Sequence, residues 1–251
     1  MNYTLKKSLG QHFLKDENIC RKIIDELKTC PCKNWIEVGS GGGALTKYII
    51  ELPDINFKAV EVDEEKVSFL KKKYPRLAEN IFHQDFLELN KPFDEPFGIV
   101  GNFPYNISTQ IIFKVLEWKD YVECLIGMFQ KEVAQRISAK EGNKVYGVTS
   151  VLVQMFFDVI YLFDVNQNSF MPPPKVTSAV IKLLPKKQAI KIKDVASLTT
   201  LVKAAFGQRR KTLRNAVKQL FDEEFLKQDL FEKRAEQLSV AEFAELTFNM
   251  I

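Results

Sequence analysis

The chain has 251 residues, of which 46% are hydrophobic and 27% are charged, and its formal net charge is +4. This composition is typical of a soluble globular protein, and the length suffices for one large domain and one small one. No apolar run approaches the roughly 18–20 residues that cross a bilayer, and the first seven residues lack the apolar core of a signal peptide. We therefore expect a cytoplasmic protein without membrane association.

Short apolar segments alternate with segments of helical period through the first two-thirds of the chain. In chain order, the predicted strands are residues 35–38, 57–62, 81–83, 97–101 and 122–129, and the predicted helices are residues 45–52, 65–73 and 109–118. Strands that are apolar throughout and separated by helices are typical of a parallel sheet with helices on both faces. We therefore predict an open α/β fold.

The last third of the chain changes character. Residues 148–165 form a longer apolar region, the turn-rich string FMPPPK follows, and residues 177–184 are predicted as the final strand. A short linker is expected at residues 185–188. Beyond it, apolar residues recur at helical spacing and predict a small all-helical domain; these residues are Val202, Phe206, Leu213, Val217, Leu220, Phe243 and Leu246.

The cysteines and histidines indicate neither a disulfide framework nor a metal centre. The four cysteines lack framework or C-x-x-C spacing, and only His12 and His83 could supply imidazole ligands. We therefore expect four reduced thiols and no bound metal.

Positive charge is concentrated in one segment near the C-terminus. Residues 186–221 contain 10 Lys and Arg against 1 acidic residue, whereas residues 222–251 contain 3 against 8. A basic surface of this kind suits a polyanionic partner such as a nucleic acid. A solvated helix face would give the same pattern, so the charge alone leaves both interpretations open.

A glycine-rich turn follows the first predicted strand. In the string IEVGSGGGALT, Gly39, Gly41 and Gly43 precede a helix, where the absence of side chains lets the backbone turn tightly and approach a ligand. The G-x-G-x-G spacing differs from the G-x-G-x-x-G of dinucleotide-binding proteins. Taken alone, this turn fits a dinucleotide, a nucleoside or no ligand.

Three further polar residues lie at or just after the ends of predicted strands. Glu61 lies about 20 residues past the glycines, where an acid can accept hydrogen bonds from ribose hydroxyls. Asp85 could accept from an adenine amino group, and Asn102 begins the string NFPYN, whose asparagine and proline a plain turn would also explain. Since ligands of open α/β sheets bind at the carboxyl ends of strands, we expect all these residues to line one crevice.

Five strings occur in order along the chain: SLGQHFL, EVGSGGGALT, GNFPYNIST, SFMPPPKVTSAV and AFGQRRKTLRN. Together they resemble the ribosomal RNA adenine N6,N6-dimethyltransferase family, specifically its small-subunit branch. The resemblance implies a Rossmann-like methyltransferase domain at residues 1–185, with S-adenosyl-L-methionine as cofactor, and a helical RNA-binding domain at residues 186–251. It also implies the small ribosomal subunit and its 16S rRNA as partner.

The family's motifs also imply which residues act. The positions that match its cofactor contacts are His12, Leu14, Gly39, Gly41, Glu61, Asp85 and Asn102. The family often has asparagine where His12 stands and proline where Ser40 stands.

The exocyclic nitrogen of adenine is a poor nucleophile because its lone pair is conjugated into the ring. The side-chain oxygen of Asn102 and the carbonyl of Pro104 are predicted to accept from its two N–H bonds and so free the lone pair. Tyr105 is predicted to stack on the base, and Phe170 matches the family's second stacking ring. We expect orientation and a prepared polar site, rather than a strong general base, to supply most of the rate.

RNA contacts are predicted in the basic segment. Arg210, Arg214 and Lys218 recur every four residues, as on one face of a helix, with Arg209 and Lys211 beside them. Such contacts to phosphates position an RNA without reading its sequence. The target adenosine must be unpaired or flipped out.

The expected activity is dimethylation of two adjacent adenosines near the 3′ end of small-subunit ribosomal RNA by a monomeric enzyme, linked to subunit assembly. Two alternatives stay open. One is a large-subunit rRNA adenine methyltransferase of the macrolide-resistance type. The other is a ribosome-assembly factor for which binding matters more than methylation.

Overall fold

A computed structural model describes residues 12–251. The strands are β1 (Phe13–Leu14), β2 (Asn34–Val38), β3 (Asn56–Glu61), β4 (Ile81–His83), β5 (Phe97–Asn102), β6 (Val122–Gln130), β7 (Phe157–Val165), β8 (Phe170–Met171) and β9 (Ser178–Pro185). The α-helices are α1 (Glu17–Lys28), α2 (Thr46–Ile49), α3 (Glu64–Lys73), α4 (Ser108–Glu117), α5 (Lys131–Ser138), α6 (Val148–Phe156), α7 (Val195–Gly207), α8 (Leu213–Val217) and α9 (Val240–Thr247). Short 3₁₀ helices connect several of them.

The main sheet is open and mostly parallel. Its seven strands lie in the order β4-β3-β2-β5-β6-β9-β7. The pairs from β4 through β6 are parallel, whereas β9 runs antiparallel to β6. Each of the first parallel strands is followed by a helical segment that returns the chain, which explains the alternating pattern in the sequence. The predicted open α/β fold is confirmed, and β9 adds an antiparallel strand to its parallel part.

The central strands are apolar because both faces of the sheet are covered. All five residues of β2 are buried, with Trp35 fully so. Amphipathic α1 buries one stripe against this core, and its first turn is capped by Asp16, whose carboxylate accepts from the Asn18 amide at 3.0 Å. A cap of this kind stabilises a helix by about 1 kcal/mol.

At Gly101, strands β5 and β2 approach each other closely. A Cβ atom added to this residue of β5 would lie 2.5 Å from the carbonyl oxygen of Val38 and 2.8 Å from the ring of Phe103. Neither the backbone nor the buried ring can move away freely, so only glycine fits here. This close packing fixes the position of the end of β5, and Asn102 is the last residue of that strand.

The chain divides into two compact units. One comprises the chain up to Ala134 together with Ile160–Pro185, and the other comprises Gln135–Val159 together with Lys186–Ile251. The sequence-based division places residues 1–185 in one domain, whereas residues 135–159 group here with the C-terminal unit. Within that unit, the Tyr146 ring packs edge-on against Phe206, with centroids 5.9 Å apart, and Arg209 donates to the carbonyl oxygen of Tyr146 at 2.9 Å.

The cysteines differ in part from the expectation of four reduced thiols. Cys30 and Cys124 are paired as a disulfide, so the expectation is wrong for these two. Cys20 and Cys32 are free and buried, and burial raises the pKa of each thiol to about 12. Both free thiols are therefore unreactive at neutral pH.

Among the helices of residues 12–251, none is long and apolar enough to cross a membrane.

Candidate active site

A cavity opens at the carboxyl ends of β2, β3 and β5, as the strand-end argument predicted. All seven predicted cofactor contacts line it, and one of them, Asn102, is also a predicted catalytic residue. Two further predicted catalytic residues join them, so that the set is His12, Leu14, Gly39, Gly41, Glu61, Asp85, Asn102, Pro104 and Tyr105. Residues that are up to 93 positions apart in the sequence thus meet in one place. The fold alone produces this convergence, because parallel strands end at the same edge of a sheet.

The glycine-rich turn forms one wall of the cavity in the conformation that its sequence predicted. The backbone φ angles of Gly39, Gly41 and Gly43 are +71°, +53° and +79°. Residues that carry a side chain rarely adopt such positive φ angles. A Cβ atom on Gly41 would also lie 3.0 Å from the ring of Phe13. The turn therefore leaves its backbone open to a ligand.

Glu61 braces this turn. Its Oε2 accepts from the Gly41 amide at 2.8 Å, and its Oε1 accepts from the amides of Val62 and Asp63 at 3.0 Å each. The side chain is only 6% exposed. Within the part of the chain that the structure describes, Oε2 accepts only this one bond and keeps a second acceptor direction, so the same group can also accept from a ribose hydroxyl.

Asn102 is held in a defined orientation. Its Nδ2 donates to the carbonyl oxygen of His12 at 2.8 Å. This bond fixes which end of the amide is the donor, so Oδ1 is presented as an acceptor. Within residues 12–251, Oδ1 receives no hydrogen bond. The next acceptor in the loop is the Pro104 carbonyl, which takes one bond from the Ile107 amide at 3.2 Å and retains a second lone pair.

Tyr105 is anchored through its hydroxyl, which is hydrogen-bonded to Ser178 at the start of β9. The ring lies beside that of His12, with centroids 5.6 Å apart and planes tilted by 30°. Burial raises the pKa of the phenol, and the bond to Ser178 opposes that rise. The string SFMPPPKVTSAV therefore serves partly to hold this ring.

Phe170 is the one predicted catalytic residue that the structure does not bring to the cavity. It lies in β8, pairs with Leu14 of β1, and is 1% exposed within the hydrophobic core. The physical reason is that the ring fills the core beneath β1 rather than facing open space. The role of Phe170 as a second stacking ring stays a prediction.

Several residues that line the cavity had no predicted role, among them the polar residues Glu37, Ser40 and Lys66. Glu37 could have been recognised from the sequence, because it is an acidic residue within the otherwise apolar segment that forms β2. Ser40 is buried, and its hydroxyl has no hydrogen-bond partner among the described residues. Lys66 is 1% exposed, lies 3.7 Å from the Asp63 carboxylate and places its ammonium 4.6 Å from the centre of the Phe13 ring.

These features fit S-adenosylmethionine. A buried hydroxyl without a partner is costly unless a ligand satisfies it, and Ser40 supplies one in the cavity wall. The open backbone of the glycine turn, the acids at two strand ends and the apolar Leu14 and Val60 suit a nucleoside that carries polar and charged groups.

Burial raises the pKa of Glu37 to about 8, and the nearby Glu61 carboxylate adds to this effect, while the hydrogen bond from Thr46 at 2.5 Å opposes it. The folded protein therefore holds a proton that the unfolded chain releases near its ordinary pKa of 4.5. Between about pH 4.5 and pH 8 the folded state binds more protons, so stability falls as pH rises, by at most about 1.4 kcal/mol per pH unit.

Glu37→Gln is expected to remove this dependence. The amide has nearly the same shape and no proton to lose, so the free energy of unfolding should change less between pH 5 and pH 8 than in the wild type. Denaturant titrations at several pH values measure it, with the exposed Glu51→Gln as a matched control. Equal pH dependence in Glu37→Gln and wild type would contradict the buried neutral acid.

The predicted RNA contacts all lie in the C-terminal unit, but not on one helix face. Helix α8 begins only after Thr212, so Arg210 lies in the preceding turn and Lys218 follows the last helical residue. The predicted four-residue repeat on a continuous helix is therefore wrong. A residue that caps a helix cannot also continue it, and Thr212 has an extended backbone.

The five basic side chains predicted to contact RNA also differ in whether they already make hydrogen bonds or ion pairs within the protein. Arg209 donates to the carbonyl oxygens of Lys144 and Tyr146, and Arg214 donates to that of Leu226 and pairs with Glu232 at 2.6 Å. The remaining three are exposed; they are Arg210, Lys211 and Lys218.

Known proteins resemble this chain along nearly its whole length. A family model described as ribosomal RNA adenine dimethylase matches residues 2–250. "Ribosomal RNA small subunit methyltransferase A" of Flavobacterium johnsoniae is 48% identical over 246 residues, which cover 96% of this chain and 94% of the relative.

Solved structures give the same picture. A dimethyladenosine transferase from Plasmodium falciparum has a TM-score of 0.81 at 28% identity, covering 94% of this chain and 96% of the other. The 23S rRNA methyltransferase ErmE shares the fold, with a TM-score of 0.70 at 22% identity over 93% and 99% of the two chains. The chain therefore belongs to the ribosomal RNA adenine dimethylase family, and its cofactor is S-adenosylmethionine.

Proposed function

We propose that this protein transfers methyl groups to the N6 atoms of two adjacent adenosines near the 3′ end of small-subunit (16S) ribosomal RNA. The observation that carries the reaction is the orientation of Asn102, whose amide donates to His12 and so presents Oδ1 to the cavity. The small-subunit relative that is 48% identical supports this choice of RNA.

The cofactor is assigned to the cavity wall formed by the glycine turn and the strand ends. Gly39, Gly41 and His12 are assigned to its methionine part, Glu61 to the ribose hydroxyls and Asp85 to the adenine amino group. When bound, the cofactor supplies an electrophilic methyl group on a sulfonium. The residues of the chain orient this group and keep the cavity closed to competing nucleophiles.

The loop after β5 prepares the target nitrogen. The Oδ1 of Asn102 and the carbonyl of Pro104 accept from the two N–H bonds of the target adenine, which favours a pyramidal nitrogen with an available lone pair. Proline suits this position because its fixed φ holds the carbonyl in place. The Tyr105 ring stacks on the base, and its face stabilises the positive charge that passes to the amine by about 0.5–2 kcal/mol.

The C-terminal unit is assigned to RNA binding through Arg210, Lys211 and Lys218. Their exposed charges can contact phosphates of the small subunit without disrupting internal bonds. Arg209 and Arg214 contribute mainly by holding the unit together, because their guanidinium groups are engaged within it. A monomeric state, a cytoplasmic location and a link to subunit assembly belong to the same proposal.

The decisive experiment compares substrates. Purified protein and radiolabelled cofactor are incubated with small subunits that lack the two dimethyladenosines, and separately with naked large-subunit RNA. We expect label only on the small subunits. Label on the large-subunit RNA alone would instead establish the macrolide-resistance activity, and binding to small subunits without any label would establish an assembly factor.

A further inference from the structure

Lys66 is a charged side chain buried in the wall of the cofactor cavity, and the proposed reaction does not use it. It lies in the first turn of α3 and is 1% exposed. Lysine is almost never buried to this degree unless it is paired, because removing an ammonium from water is costly. Among the described residues that line the cavity, it is the only lysine or arginine. Ligand cavities use a few charged groups of this kind to orient what they bind.

Two contacts hold the Lys66 ammonium in place. Its Nζ lies 3.7 Å from the buried carboxylate of Asp63 and 4.6 Å from the centre of the Phe13 ring, over one face of that ring. Asp63 is itself fixed as the N-cap of α3, where its carboxylate accepts from the Glu65 amide at 3.1 Å. Because a carboxylate and an aromatic face both attract a positive charge, the ammonium is held at this point of the wall.

Further contacts connect Lys66 to Glu61, the acid assigned to the ribose. Glu61 accepts from the amides of Gly41 and Asp63 at 2.8 and 3.0 Å. The Phe13 ring lies against Gly41, where an added Cβ atom would be 3.0 Å from the ring. Lys66 contacts both Phe13 and Asp63. The five residues therefore form a closed chain of contacts, which places the ammonium and the Glu61 carboxylate in the same part of the cavity wall.

A ribose hydroxyl has the hydrogen-bonding capacity to join these two charges. A hydroxyl donates one hydrogen bond and accepts through two lone pairs. Since an ionised carboxylate only accepts, a hydroxyl bound to Glu61 must donate to it and can then only accept from a further group. The Lys66 ammonium carries three N–H donors, so one of them can serve a ligand while the others serve the protein. Carboxylate, hydroxyl and ammonium therefore fit together in that order.

We propose that Lys66 is a further cofactor-binding residue, whose ammonium donates a hydrogen bond to the ribose hydroxyl that donates to Glu61. This inference rests on the placement of the ribose at Glu61 in the proposed function. The acid accepts from the hydroxyl, and the lysine donates to the oxygen of the same hydroxyl. Lys66 therefore contributes to the affinity for S-adenosylmethionine and S-adenosylhomocysteine, which share this ribose, and not to the transfer of the methyl group.

Lys66→Met tests the proposal, because methionine has a similar length but neither a charge nor a donor. We expect the Kd for S-adenosylhomocysteine, measured by calorimetry, to rise roughly tenfold, the cost of losing one hydrogen bond to a charged group. The single-turnover rate at saturating S-adenosylmethionine should stay within about twofold of the wild type, as for a residue that contributes only to binding. Lys71→Met removes an exposed lysine from the same helix and should leave this Kd unchanged.

Ligands that lack a hydroxyl give the second half of the test. The 2′-deoxy and 3′-deoxy forms of S-adenosylhomocysteine each lack one ribose hydroxyl. Removing the hydroxyl that Lys66 contacts should weaken binding to the wild type more than binding to Lys66→Met, because the variant has already lost one of the two contacts. Lys71→Met should lose as much affinity as the wild type.

A double variant guards against a purely structural effect. Lys66→Met alone leaves the Asp63 carboxylate buried without this cation, which can destabilise the fold. Asp63→Asn combined with Lys66→Met removes both charges and keeps a side-chain oxygen for the helix cap. Thermal unfolding without ligand reports the stability of each variant. We expect the double variant to fold, to bind S-adenosylhomocysteine as weakly as Lys66→Met, and to respond as little to the loss of the hydroxyl.

The outcomes separate this proposal from the function itself. Full affinity of the wild type for both deoxy ligands would overturn the placement of the ribose and the role of Lys66 with it. If the wild type loses affinity for one deoxy ligand and the double variant loses as much, the ribose placement stands and the role of Lys66 alone is overturned. None of these binding measurements uses RNA, so they do not depend on which ribosomal subunit is methylated.

Discussion

Asn102→Ala is expected to bind small subunits normally and to lose methyl transfer by about 10²–10³-fold, the usual cost of removing one preorganised hydrogen-bonding group from a reaction centre. The substitution deletes the acceptor for one N–H bond of the target amine. It also leaves the His12 carbonyl without its 2.8 Å donor. Single-turnover methylation and a separate subunit-binding assay measure the two effects independently.

Two further variants sharpen this prediction. Asn102→Asp keeps an acceptor but cannot donate to His12, so its rate should lie between those of alanine and wild type. Asn90→Ala, an exposed asparagine outside the cavity wall, should match the wild type. Full activity in Asn102→Ala would refute the acceptor role of this amide.

Reversing two exposed charges of the C-terminal unit should weaken RNA binding. In Arg210→Glu combined with Lys218→Glu, affinity for small subunits should fall at least about tenfold at low salt, and the slope of log affinity against log salt should shrink by about 1 per lost contact. Cofactor affinity should stay the same. Arg214 is avoided because it pairs with Glu232, so its loss would also disturb the fold.

Lys191→Glu combined with Lys203→Glu changes two exposed lysines outside residues 209–218 and gives a control with the same change in net charge. If this control weakens binding as much as the test pair, the effect comes from total charge and not from a defined surface. If the Arg210→Glu, Lys218→Glu variant keeps the wild-type affinity for small subunits, these two side chains do not contact RNA and belong to a solvated surface.

Local sequence patterns predicted the secondary structure correctly wherever an apolar segment corresponds to a single strand or helix. Predicted strand 81–83 and β4 coincide, and the other parallel strands differ from prediction by one residue at one end or, for β3, at both ends. The apolar region 148–165 was not divided in advance. Its first half forms helix α6 and its second half strand β7. Both halves are rich in apolar residues, so periodicity alone does not mark the boundary.

The site was predictable where strand ends supply the residues, because the topology of an open α/β sheet brings them together. It was not predictable where function depends on a distant partner. The tautomer of His12 is set by Pro172, 160 residues away in sequence, and Tyr105 is anchored by Ser178. The burial of Phe170 against β1 was likewise not predictable, because its pairing with Leu14 joins segments 156 residues apart in the sequence.

An experimental structure of the protein on a small subunit, with S-adenosylhomocysteine and an unmethylated target adenosine, would show directly how Asn102 and Pro104 hold the amino group. We expect the N6 atom to lie about 3 Å from both Asn102 Oδ1 and the Pro104 carbonyl oxygen, with the base stacked on Tyr105. A target N6 bound elsewhere, or an Asn102 side chain turned so that Nδ2 faces the base, would contradict it.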